Sequence, residues 1–176
     1  GDKPSTQAPV ETQTPPETQT PSGSGDAAPV KTGLAVVTGL DSSKDATAEG
    51  DGTAQSEILL VAVTVGDDGV IDSCVIDNIQ AKINFNTSGA LTTDPSTTFP
   101  SKNELGDGYG MRKASSIGKE WNEQAAGFCA YVTGKTLAEI KGLAVDEGGK
   151  ATDADLAATI TVGIGEFQTI IEKAAK

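Results

Sequence analysis

Histidine is absent from all 176 residues. Its absence removes the commonest general base and the commonest metal ligand. Ser–His–Asp and Cys–His catalysis and histidine-based zinc chemistry are therefore excluded. Cysteine is nearly absent too: Cys74 and Cys129 stand 55 positions apart and form neither a CxxC nor a spaced framework. They are open to two readings, a pair brought together by the fold or two separately buried thiols. The chain has few aromatic residues, with one Trp, two Tyr and four Phe. No apolar stretch approaches the ~18 residues of a membrane span; the longest runs from Ile58 to Val63. Nor is there a charged-then-apolar leader, and any such segment is expected to have been removed already.

Acid is plentiful. Thirteen basic against twenty-five acidic side chains leave a net charge of −12. The field of such a chain repels nucleic acid and anionic membrane surfaces, so neither is expected as a direct partner.

Six of the eight prolines fall in residues 1–30, where "ETQTP" occurs twice, at 11–15 and 17–21. A Pro/Thr/Gln stretch without aromatic residues buries too little apolar surface to offset its ordering entropy. Residues 1–30 are expected to be a disordered tether separating a surface domain from its anchor. Gly1-Asp2-Lys3 reads like the start of a mature lipoprotein just after its lipidated cysteine, which implies an extracellular, lipid-anchored location with the membrane reached only through that lipid.

The folded part, 31–176, reads as one α+β domain: an antiparallel meander packed with C-terminal helices. "GLAVVTGL" (33–40) is a short strand, and 41–55 is loop chemistry. "SEILLVAVTV" (56–65) is apolar on both alternating faces, as for a central strand covered on both sides. "GDDG" (66–69) is a turn into "VIDSCVID" (70–77), with Val70, Cys74 and Ile76 on one face. "KINF" (82–85) extends the meander, with Ile83 and Phe85 inward. Residues 86–110 are rich in Thr, Ser, Pro, Gly and Asp, a loop long enough to be functional or a lid. Ile117, Trp121, Ala125, Phe128, Cys129 and Val132 then recur at helical spacing, predicting a helix over 117–133 that ends at Gly134 and buries Trp121. Thr136 and Glu139 form a capping box for a short helix to about Leu143. Ile164, Phe167, Ile170, Ile171 and Ala174 stripe a final helix.

Few motifs carry chemistry. "GKT" (134–136) lacks the glycine that a phosphate loop needs five positions earlier, where Cys129 stands, and it follows a helix instead of a strand. The acidic stretches 41–52 and 146–155 miss the glycine and the final Glu of a calcium loop. Arg112 and Lys113, the one adjacent basic pair, follow the glycine-rich "GDGYG" and could meet a phosphate; the bland alternative is a solvated surface pair.

"GDGTAQSEILLVAVTVGDDGVIDSCVID" (50–77) resembles the opening of FMN-binding domains found in flavin subunits of ion-translocating quinone reductases and in surface flavoproteins of anaerobic Gram-positive bacteria. The segment 108–136 resembles a block of predicted lipoproteins of gut Firmicutes that carry this domain type, and the likeness extends over roughly 45–175. In that family FMN is joined through its phosphate to the last hydroxyl of a motif with an Asp, a Ser or Thr, Gly, Ala and Thr or Ser. Here Asp153, Ala158 and Thr159 match, whereas Leu156 replaces the hydroxyl residue and Ala157 the glycine. The resemblance implies covalent FMN on Thr159, Asp153 orienting the transfer, Arg112 or Lys113 near the phosphate, and electron exchange with membrane-associated redox proteins, an electron carrier more than a side-chain catalyst. The competing expectation is a cofactor-free binding or structural module that uses the 86–110 loop for a surface ligand. The flavin reading needs 157–161 to run extended or as a loop, with regular helix from about Val162; its rival is one continuous helix from Asp153 capped by Thr152.

Overall fold

The computed structural model describes residues 28–176. The expected tether therefore lies, but for its last three residues, outside the described residues. Three long strands, β1 (Val30–Gly39), β2 (Gly52–Gly66) and β3 (Ile71–Phe85), form an antiparallel sheet in the order β1-β2-β3. With the helices that follow, the domain is α+β as the sequence implied.

The GDDG turn joins β2 to β3. Gly69 takes φ 76°, its N–H donates to the Gly66 carbonyl at 2.9 Å, and Asp68 Oδ1 accepts the Val70 N–H at 3.1 Å. Glycine meets the positive φ at no steric cost. Just beyond, Thr64 pairs with Ser73 and Val65 with Ile71, a bulge that leaves Asp72 unpaired. The bulge shifts the phase of the strand. Ile71 becomes fully buried in place of Val70, and Cys74, Ile76 and Asn78 follow it inward.

Four expectations for the sheet are corrected. β2 starts at Gly52, four residues before the apolar run, and the segments 70–77 and 82–85 are one strand, since each residue from Asn78 to Ala81 has a partner in β2. Ile83 faces outward and is 39 % exposed, while Phe85 is half-buried over Gly52. β2 is covered on one face only. Leu59, Val61 and Val63 are buried under helices, whereas Ile58 and Leu60 are half-buried and Ala62 is exposed.

The 86–110 segment is not loop throughout. Ser101 and Glu104 form a reciprocal capping box that starts α1 (Lys102–Leu105), followed by a 3-10 turn over Gly106–Tyr109. The main helix, α2 (Trp121–Val132), begins four residues later than its apolar period suggested. Gly118 at φ 63° breaks the run, and Glu120 and Glu123 close a capping box there. Ile117 is thus outside the helix. Gly134 ends α2 as expected, at φ 86°, and Thr136 caps α3 (Leu137–Lys141) with Glu139. A single turn, α4 (Ala154–Ala157), precedes α5 (Gly165–Ala174).

α2 and α5 pack on the same sheet face. Trp121, Phe128 and Phe167 meet there, with ring centroids 5.4 and 6.2 Å apart, in favourable edge-on and tilted geometry. Trp121 is 5 % exposed, as its helical position implied. Gln124 is completely buried but fully used: its Nε2 donates to Ser115 Oγ and the Lys119 carbonyl, and its Oε1 accepts from Thr161 N–H and Oγ1. This one amide ties α2 both to the loop before it and to the chain entering α5.

Candidate functional site

The segment matched to the flavin attachment motif is neither of the two alternatives read from the sequence. Asp153 N-caps α4, accepting the Leu156 N–H at 3.0 Å. Ala157 is helical, Ala158 closes the turn, and the chain from Ile160 to Ile164 is non-helical. Regular helix resumes at Gly165, three residues after the expected Val162.

Thr159 sits in the turn that ends α4, half-buried, with its hydroxyl donating to the Asp155 carbonyl at 3.0 Å. Its methyl faces Gly127 of α2; a Cβ added there would lie 2.2 Å from Thr159 Cγ2. The amides around it are spent as well. Thr159 N–H and Ile160 N–H both donate to the Leu156 carbonyl, and Thr161 N–H donates to Gln124. A phosphate needs free donors, and this turn has none to offer.

Arg112 is equally committed. Its guanidinium reaches Asp107 at 2.6 Å, Glu123 at 2.9 Å and the Gly118 carbonyl at 2.9 Å. Asp107 first, then Glu123, hold its pKa above the ordinary arginine value. The Arg112 backbone N–H, with that of Met111, donates to the buried carboxylate of Glu120. Lys113 is exposed and, among the described residues, makes no ion pair. Asp153, Ala158, Thr159, Arg112 and Lys113 thus serve the turn, its packing and the surface, and they do not assemble around a shared opening.

A different region has donors to spare. A groove of about 830 Å³ opens between the Gly39 end of β1, the middle of β2 and β3, α1 and the start of α5. Leu59, Trp121, Val162 and Phe167 give it apolar walls. Lys102 lines it and is only 9 % exposed. Its ammonium lies over two aromatic faces, 4.7 Å from the Tyr109 centroid and 5.0 Å from that of Trp121. Among the described residues it makes no ion pair and no hydrogen bond. Aromatic faces attract a cation, but they accept none of its three directed N–H bonds.

Asn78, in the same lining, is also 9 % exposed, and its buried Oδ1 has no donor among the described residues. Most buried polar atoms are satisfied, so an open Asn78 oxygen in the same groove as an ammonium without a protein acceptor is informative. The first turn of α5 completes the lining through Gly165, Glu166 and Phe167, and its N-cap residue, Ile164, supplies no side-chain acceptor for the open amides. The groove is not uniformly positive. Asp41, Glu57 and Glu166 also line it, and Glu57 is held in place by the amides of Gln55 and Gln80, at 2.5 and 3.0 Å.

Sequence reasoning missed Lys102, Asn78, Glu120 and Gln124. A signal for the first was present, since "SKNE" (101–104) is a capping-box pattern that announces a helix within the presumed loop. No local pattern marks the other three, whose roles come from packing. No family model, curated protein or solved structure matches this chain.

Proposed function

We propose that the domain is a cofactor-free binding module whose site is the Lys102 groove, and that it takes a small ligand with one carboxylate on an apolar body. The observation that carries this reading is the largely buried Lys102 side chain, whose ammonium has no hydrogen-bond acceptor among the described residues, in a groove that the first turn of a ten-residue helix also lines. The three carboxylates in the lining oppose a multiply charged anion, and they suit a zwitterion whose ammonium end lies toward them. An apolar amino acid or the end of a short peptide has that chemistry. The domain then works by recognition, with no bond made or broken, as a surface module on its tether.

Trp121, the sole tryptophan, reports directly on this groove. Titrating the full chain with phenylalanine, 3-phenylpropanoate and phenyl phosphate should give saturable fluorescence changes with the first two, at least tenfold weaker in Lys102→Met. Equal, non-saturating responses in both proteins would overturn the reading. The flavin reading is tested separately, by the intact mass after co-expression with a flavin transferase beside a control domain that acquires FMN. An unchanged mass supports a cofactor-free module, and a gain of one FMN moiety would restore Thr159 as an attachment site.

A further inference from the structure

Cys74 of β3 and Cys129 of α2 sit with their sulfurs 3.2 Å apart and share a hydrogen bond. That separation is within an ångström or so of the ~2.05 Å of a disulfide. Both thiols line a second cleft, of about 500 Å³, between β3 and α2. Cys129 is 5 % exposed, and Cys74 is half-buried and therefore the more open of the two.

The two sulfurs are not equivalent. In the reduced pair the Cys129 thiol donates to the Cys74 sulfur. Loss of one proton leaves the other shared between the sulfurs, and that sharing, ahead of burial, holds the Cys74 thiol up and draws Cys129 down. A pair of this kind deprotonates first at one sulfur, with the second thiol holding the charge, as in reactive dithiols. Two buried, inert cysteines would have neither the cleft nor the shared proton.

We infer that Cys74 and Cys129 form a dithiol–disulfide site that small disulfides reach through the β3–α2 cleft. In the step, the S–S bond of a small disulfide R–S–S–R breaks and an S–S bond forms between Cys74 and Cys129. The two cysteines give up two electrons and two protons, and these leave as two R–SH molecules. The product is a cross-link between an edge strand of the sheet and its principal helix, closing a loop of 55 positions. It constrains the unfolded chain and so raises stability in the oxidised form.

The test uses the full chain equilibrated with oxidised glutathione, then alkylated with iodoacetamide and weighed intact. The expected product is a monomer lighter by two hydrogens and free of adducts, which takes two adducts after reduction by dithiothreitol and denaturation. Its thermal midpoint should lie above that of the reduced form. Cys74→Ser, at the half-exposed position, should retain the fold by circular dichroism and lose both the mass change and the redox-dependent midpoint. Persistence of two alkylatable thiols after oxidation, mixed disulfides that never resolve, or disulfide-linked dimers would each overturn the assignment.

Discussion

Two regions lie against α2, and they spend their polar groups differently. In the turn after α4, the Thr159 hydroxyl, the amides of Thr159 to Thr161 and the carboxylate of Asp153 all have partners within the protein. In the groove below Trp121, the Lys102 ammonium and the Asn78 carbonyl oxygen have none among the described residues. The first arrangement is what a structural joint needs, because an unmade hydrogen bond in a buried position costs free energy. The second is tolerable only where solvent or a ligand completes it. Unspent hydrogen-bonding capacity, more than similarity to a motif, separates the proposed binding groove from the joint.

The comparison breaks most readily at Trp121, which belongs to the core and to the groove wall at once. Trp121→Ala should cost about 3–5 kcal/mol by loss of packing, read as a lower urea midpoint. A loss well under 1 kcal/mol would show that the aromatic cluster carries little of the stability. Gly127→Ala comes next, since its new Cβ meets the Thr159 methyl at 2.2 Å. The expected cost is roughly 1–3 kcal/mol. Adding Thr159→Ser, which removes the methyl and retains the hydroxyl, should recover part of it; a double mutant as unstable as the sum would show that this contact does not set the packing distance. The smallest effect is expected at Asp153→Ala, which removes the α4 cap for about 1 kcal/mol and should leave ligand-induced fluorescence unchanged. An altered ligand response would join the two regions that the structure holds apart.

Much of the fold was legible because its signals are local. The GDDG turn, the end of α2 at Gly134 and the Thr136–Glu139 box each specify backbone geometry within a few residues, and each lies where the pattern put it. The start of α2 was misplaced because an apolar residue, Ile117, happened to fit the period, while Gly118 and the Glu120 cap decided where helix could begin. The β3 segments read as two because Asn78-Ile79-Gln80-Ala81 is polar enough to pass for a break; pairing with β2 satisfies its backbone regardless. The attachment motif was legible as residue types only. Their hydrogen bonds to Leu156, Asp155 and Gln124 could not be read from spacing.

The sequence by itself determined the acidic, histidine-free chemistry, the antiparallel meander, and helices that bury Phe128, Phe167 and Ile171. Composition and periodicity are properties of neighbouring residues, and they survive into the fold. Tertiary structure alone decided which face of β2 is covered, for its apolar residues alternate on both and only the placement of α2 and α5 on one side chose between them. It alone set Cys74 against Cys129 and enclosed Lys102 between two aromatic rings. Both are contacts across tens of residues, fixed by how the helices dock on the sheet and not by any stretch of chain that contains them.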